Sequence, residues 1–349
     1  MQYEPQRIIV SCPNWVGDVV MATAAFRCLR ANFPKAEIWG LIRNYAFGVI
    51  ESGPWFDAVL TCDDKSLKGM SSVIARIAKL KPDMALVLPN TFRAALIMKM
   101  AGVKYSYGYK LNRRSWLLSG GPKPLRHKNE IIPRPMVEYY LEICRWLDLE
   151  MPASIKTELF ISDSAANRAE ALLEKYGIRD QDLVVGLNPG AKFGSSKCWP
   201  PEYFAALAEL LEEKWGARIL LFVGPGEDEI AQKIVNTSKA EIINTAADQI
   251  DLSLLKPMIK RCELLISNDT GPRHYAVALD IPVVVIMGST DPRYTAANLE
   301  KTVVVRKDLP CSPCHKKECP YGHECMTEIK PEQVFKAAED ISQRLGGLK

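Results

Sequence analysis

The chain has 349 residues, 48% of them apolar, with 45 Lys and Arg against 41 Asp and Glu, a balance that excludes disordered, collagen-like and fibrous classes. At about 100 to 200 residues per domain this length predicts two domains, each with enough chain to bury a core. The net charge of +4 and the lack of a recognisable module argue against a nucleic-acid partner, and no apolar run reaches the roughly 18 residues of a membrane-spanning helix.

Arg7 to Cys12 reads as the first strand, and its apolar run, Ile8 to Val10, is too brief for a signal-peptide core, so a cytoplasmic protein is expected. A helix over Val16 to Asn32 follows, then strand Glu37 to Leu41, helix Ser71 to Leu80, strand Met84 to Leu88 and helix Phe92 to Ala101. This alternation is the βαβ signature of a parallel, doubly wound sheet. The loop Cys12-Pro13-Asn14-Trp15-Val16-Gly17-Asp18 comes directly after the first strand. Its Asp18 opens a helix, where it reads either as a fixed general base or as a helix cap.

Charge is unevenly spread. Residues 1 to 160 hold 22 Lys and Arg against 14 Asp and Glu, and residues 104 to 134 hold eight of those cations against the single acid Glu130. Tyr105, Tyr107, Tyr109 and Trp116 interleave with them. The segment reads as a surface for an anionic ligand or as a solvated basic loop.

A helix over Pro135 to Asp148 precedes a second alternating series. It comprises strand Leu183 to Leu187, helix Pro201 to Trp215, strand Arg218 to Val223, helix Glu227 to Thr237, strand Glu241 to Asn244, helix Leu252 to Arg261, strand Leu264 to Ser267, helix Pro272 to Leu279 and strand Pro282 to Met287. Two successive α/β domains are expected, 1–165 and 166–349, with their strand carboxyl ends at a cleft, where such sheets bind ligands.

Three loops of the second domain carry chemistry. Asn188 to Pro200 offers small residues, free amides, Lys192 and Lys197 to phosphate oxygens, without the spacing of a dinucleotide or Walker loop. Gly224 to Glu229 places acids where ribose hydroxyls are commonly held. Ser267 to His274 offers Asp269 to sugar hydroxyls and an anion nest at Thr270 and Gly271.

Ten cysteines divide into six scattered among apolar neighbours and four, Cys311, Cys314, Cys319 and Cys325, within fifteen residues. The four suit a structural zinc site or free thiols, as a staple before a last helix, Pro331 to Leu345, with no part in catalysis.

Together Trp15-Val16-Gly17-Asp18, Leu88-Pro89-Asn90-Thr91-Phe92-Arg93, Pro189 to Gly194 with Lys197-Cys198-Trp199-Pro200, and Asn268-Asp269-Thr270-Gly271 with His274 resemble glycosyltransferase family 9, from about residue 7 to residue 345. The resemblance implies an α/β, GT-B-like fold of two Rossmann-like domains, an acceptor-binding one before a nucleotide-sugar-binding one. It implies inverting, metal-free transfer of L-glycero-D-manno-heptose from ADP-heptose to the first heptose of the lipopolysaccharide inner core. By motif match Asp18 would be the general base, Lys197 would neutralise the leaving diphosphate, Glu229 would hold the ribose and Ile250 would present backbone to adenine. Asp269 would hold the heptose, while Thr270, Gly271 and His274 would line the phosphates.

Lys192 and Phe193 stand where a related heptosyltransferase has two hydroxyl residues, so only backbone contacts carry over there. A one-residue adjustment leaves Glu227 competing with Glu229. Asn14, Trp15, Arg113 and Arg114 are expected to meet the anionic, lipid-anchored acceptor, which places the protein peripherally at the inner face of the inner membrane. The alternatives are another family 9 transferase with a different donor or acceptor, and a nucleotide-sugar-binding protein without turnover.

Overall fold

The computed structural model describes residues 4–64, 66–128 and 130–348. The chain forms two compact units, residues 1–160 with Arg293–Ala297, and Ile161–Pro292 with Asn298–Lys349.

Unit 1 is a five-stranded parallel sheet of β1 (Arg7–Ser11), β2 (Glu37–Arg43), β3 (Ala58–Cys62), β4 (Met84–Val87) and β5 (Tyr105–Tyr107), in the order β3-β2-β1-β4-β5. Its helices are α1 (Val16–Asn32), the short α2 (Phe47–Ile50), α3 (Leu67–Leu80), α4 (Phe92–Met100) and α5 (Met136–Trp146). Ser66 and Thr91 cap α3 and α4 by accepting from the Gly69 and Ala94 amides, which offsets donors that a helix start leaves unpaired. Small residues along α1, Ala22, Ala24 and Ala25, are buried and let it pack closely against α5. A two-stranded hairpin, β6 (Arg126–His127) with β7 (Glu130–Ile131), projects from this unit with all four residues exposed.

Unit 2 repeats the plan in a six-stranded parallel sheet of β8 (Val184–Asn188), β9 (Arg218–Leu221), β10 (Ile242–Asn244), β11 (Leu264–Asn268), β12 (Val283–Met287) and β13 (Thr302–Arg306), ordered β10-β9-β8-β11-β12-β13. Around it lie α6 (Asp163–Lys175), α7 (Pro201–Trp215), α8 (Asp228–Thr237), α9 (Leu255–Lys260), α10 (Gly271–Ala278), the short α11 (Glu324–Thr327) and α12 (Pro331–Arg344). Strands β8, β11 and β12 are buried at every position, as expected where helices cover both faces of a parallel sheet.

In each sheet the strand order reverses beside the first strand, between β1 and β4 and between β8 and β11. Connections leave toward opposite faces there, and the opening at the strand ends is where such sheets take ligands. The loops singled out by motif, 12–15, 88–91, 189–200 and 269–271, follow these four strands. Among the described residues no helix is long and apolar enough to cross a membrane.

Candidate active site

At the edge of unit 1, Trp15 is the residue preceding α1 and makes no side-chain cap bond, while Asp18 lies in the first helical turn. Asp18 is therefore not the residue at the N-cap position. Its Oδ1 accepts the Tyr140 hydroxyl at 2.9 Å. Burial and the Asp18 charge push the Tyr140 phenol well above its usual range, so it stays a donor. A carboxylate held at a helix start by a hydroxyl donor has the charge and fixed position that a proton acceptor needs.

Beside this loop opens a cavity of about 170 Å³, lined among others by Asn14, Arg43, Asp64, Thr91 and Arg93. Arg43 donates to Asn14 Oδ1 at 2.9 Å and pairs with Asp64 at 2.9 Å. Arg93 donates to the Asp64 carbonyl at 2.7 Å. Sequence reasoning did not single out Arg43 or Asp64; the signal was an Arg closing β2 and paired acids after β3.

The expected role of Arg114 is corrected. It is fully buried and donates to the carbonyls of Tyr109, Pro89, Thr91 and Val87 and to Asn90 Oδ1, so it holds the loop after β4 in place. Burial lowers its guanidinium to about 10, still charged at neutral pH. Tyr109 is also buried, stacked on Tyr139 at 3.8 Å. Arg113 and Trp116 remain on the surface.

Unit 2 gathers its charges in the interior. Pairing of β8 with β11 brings residues 72 positions apart together: Lys197 Nζ donates to the Asp269 carbonyl and to its Oδ2, both at 2.9 Å. Arg273 donates to Asp269 Oδ1 at 3.1 Å, and the Lys197 ammonium sits 5.1 Å over the Phe193 ring. Burial works to raise the Asp269 carboxyl, but Arg273 and Lys197 outweigh it and hold it at about 2. Two cations against one carboxylate leave a surplus positive charge where α10 begins, and the helix start adds to it. The scaffold beneath is fixed by Asn188, which donates to Thr270 Oγ1 at 3.0 Å, and by Asn268, which donates to the Pro189 carbonyl at 2.6 Å.

With these loops in view, the family model described as "Glycosyltransferase family 9 (heptosyltransferase)" matches residues 70–324. The chain belongs to glycosyltransferase family 9. Lipooligosaccharide heptosyltransferase 2 of Haemophilus ducreyi is 29% identical over 96% of this chain and 99% of that relative. The solved structure of E. coli ADP-heptose lps heptosyltransferase II superposes with a TM-score of 0.80 at 24% identity, covering 98% of this chain and all of that one (100%). A family 9 glycosyl transferase from Veillonella parvula gives a TM-score of 0.85 at 23% identity, with 98% of each chain covered. The fold is accordingly GT-B-like.

As a family 9 glycosyltransferase the chain needs groups for a nucleotide sugar, and the structure sorts the expected ones. His274 is buried, and burial together with Arg273 lowers its imidazole to about 3. It is neutral near pH 7, so it can meet a phosphate as a hydrogen-bond partner and not as a cation. Glu229 is exposed on α8, whereas Glu227 is half-buried and accepts the Gly224 amide at 2.7 Å. A Cβ at Gly190 would lie 1.9 Å from Glu227 Oε2. Glu227, rather than Glu229, therefore reaches the loop after β8, against a backbone that only glycine leaves open. Lys192 is exposed and Ile250 half-buried in the loop after β10.

Among the described residues no three His, Cys, Asp or Glu side chains stand at metal-ligand spacing.

Proposed function

We propose that this enzyme moves L-glycero-D-manno-heptose from ADP-heptose to the first heptose of the lipopolysaccharide inner core, with inversion. The observation that carries the reading is the interior cluster Lys197–Asp269–Arg273 at the start of α10, where the net charge is positive. In this reading the acceptor hydroxyl loses its proton to Asp18 as its oxygen attacks the anomeric carbon. The bond from that carbon to the diphosphate breaks, and its electron pair leaves with ADP. Lys197 and the amides of Thr270 and Gly271 balance the growing charge in a site already organised for it. Glu227 accepts the ribose hydroxyls, Asp269 keeps lone pairs for the heptose hydroxyls, and backbone near Ile250 meets adenine.

The acceptor side belongs to unit 1, with Asn14, Trp15 and the Arg43–Asp64 cavity nearest Asp18. The relatives support donor and acceptor alike: they are named heptosyltransferases of lipopolysaccharide or lipooligosaccharide, and one structural neighbour is named for ADP-heptose. Peripheral attachment to the inner face of the inner membrane rests on the hairpin region. There Trp116, Leu125, Ile131 and Ile132 are exposed apolar residues beside Arg113, Lys123, Arg126 and Lys128, a mixture that suits an anionic lipid surface.

The test is product analysis by mass spectrometry with ADP-heptose and core-truncated lipopolysaccharides. One heptose added to the acceptor ending in a single heptose, and none to the heptose-free acceptor, is expected. The reverse pattern, or turnover only with another nucleotide sugar, would replace this reading by a different family 9 activity.

A further inference from the structure

The cysteine-rich segment between β13 and α11 has no part in the chemistry above, yet it is built against it. All four thiols, Cys311, Cys314, Cys319 and Cys325, line one small cavity, and Ser196 of the loop after β8 closes one side. Cys325 is buried in the unit 2 core, Cys314 and Cys319 are half-buried, and Cys311 is exposed. Once deprotonated, four thiols lining one cavity would repel one another, and a cation bound among them would offset that repulsion.

The donor set decides which cation. Four sulfurs without an oxygen ligand suit a borderline-soft ion of tetrahedral preference, and hard ions such as magnesium or calcium are poorly matched. His323 is not needed as a ligand, since its Nε2 is 3.0 Å from the Ser196 carbonyl. The thiols line the cavity without standing at ligand spacing, so binding an ion requires them to draw together.

The same segment grips the donor loop at the residue before Lys197. The Ser196 amide donates to the Lys317 carbonyl at 3.0 Å, and its hydroxyl donates to the Lys316 carbonyl at 2.5 Å. Gly194 has φ of +153°, and a Cβ there would lie 2.3 Å from the Lys317 carbonyl oxygen. Residues 316 and 317 lie inside the ring that Cys314 and Cys319 would close.

We propose that Cys311, Cys314, Cys319 and Cys325 bind one tetrahedral, thiolate-ligated metal ion of the zinc class, and that this ion fixes residues 316–323 as the clasp that positions the donor loop. Binding replaces up to four S–H bonds by S–metal bonds and releases the protons to solvent; no electron is transferred. The ion takes no part in the transfer. It acts through the backbone of Ser196 on the placement of Lys197, a departure from the expectation that the thiol segment has no part in catalysis. Only this second half rests on the donor-site reading given above.

The test uses the full chain purified without affinity tag or chelator. Elemental analysis is expected to find about one zinc ion per chain. After chelator treatment, titration with Co²⁺ is expected to give thiolate-to-cobalt charge transfer and tetrahedral d–d bands saturating at one equivalent. Cys311→Ser, at the exposed position and so least costly to packing, is expected to weaken those bands. Loss of the metal is expected to weaken ADP binding roughly tenfold to a hundredfold, the scale of a misplaced binding group, with recovery on reloading. Less than about a tenth of an ion per chain, together with no cobalt–thiolate spectrum, overturns the site. A cobalt spectrum with unchanged ADP affinity after metal removal overturns the clasp. A cobalt spectrum in a chain that binds no ADP even when loaded leaves the metal site standing and removes the donor reading.

Discussion

In unit 1 the charges at the sheet's carboxyl edge stay partly in water: Arg43 and Asp64 keep 20% and 14% of their side-chain surface. In unit 2 the pair Arg273 and Asp269, after β11, keeps 1% and 5%. The two sheets share one strand order around the switch point, so the difference lies in the loops. Partly hydrated groups can rearrange around a large, branched acceptor, and their pairing stabilises little. Buried groups cannot follow a ligand. They hold charge in one place before the substrate arrives, which is what a leaving diphosphate requires, and their desolvation is offset only while every partner remains. Unit 1 is thus suited to recognition and proton transfer, and unit 2 to electrostatic stabilisation.

The sharpest way to break this contrast is Asp18→Asn. Turnover should fall by ~10² to 10⁴, the usual contribution of a general base, while ADP-heptose affinity measured by calorimetry stays within about twofold, because the groups proposed to hold the donor lie in the other unit. Equal losses of donor affinity and turnover would move Asp18 out of the acceptor side.

Lys197→Ala should lower turnover by ~10² to 10³, as removal of a preorganised donor does, and should also weaken ADP binding. Unlike Asp18→Asn it should lower the melting temperature, because Asp269 keeps only Arg273 as a charged side-chain partner. Steady-state kinetics beside thermal unfolding checks the pair of effects. Normal ADP binding in this variant would shift the phosphate role to Lys192.

How much of this contrast was legible in the sequence depends on whether it is local. The strand and helix rhythm was readable because buried parallel strands such as Val283–Met287 are unbroken apolar runs, and α7 begins on a Pro pair. The edges were not: β5 is only Tyr105–Tyr107, and β3 is half-buried along most of its length, so neither gives a strong apolar signal. β13 and α6 were not among the expected elements, although β13 carries a β-branched run, Thr302 to Val305, and α6 has a Ser162 cap that accepts from the Ala165 amide. Motif spacing brought Asp18, Lys197 and Asp269 forward as candidates. The Asp269–Arg273 pair is local, four residues apart at the start of α10, whereas the contact of Asp269 with Lys197 follows only from strand pairing. Arg114 misleads for the opposite reason: an Arg in a basic run reads as surface, and only the fold shows its guanidinium satisfied by backbone carbonyls. The clasp on Ser196 is likewise invisible, since its partners lie 120 residues or more away.

The exposed basic hairpin sharpens the picture of unit 1 as the side that meets a lipid-anchored acceptor. Arg126→Ser with Lys128→Ser should weaken sedimentation with anionic vesicles about thirtyfold at low salt, from ~1 kcal/mol per cation near the surface. The donor Michaelis constant should not move. Vesicle binding that ignores both the substitutions and added salt would assign attachment to the apolar residues alone.

The smallest effect separates the two units by acid. The His274 imidazole, ordinarily near 6.5, is held at about 3 by burial and by Arg273. Between those values the unfolded chain binds a proton that the folded chain refuses, so stability falls as pH drops from about 6.5. Asp269, held at about 2 against an ordinary 3.8, adds a second loss only as the pH falls below about 4. Unit 1 has a single histidine, His127, on the exposed hairpin. Native-state hydrogen exchange, corrected for the intrinsic pH dependence, should therefore show protection of β8 and β11 declining between pH 7 and 5 while β1 and β4 hold. His274→Asn should flatten that decline and leave the one below pH 4. An unchanged decline in the variant would mean that another group carries the acid sensitivity of unit 2.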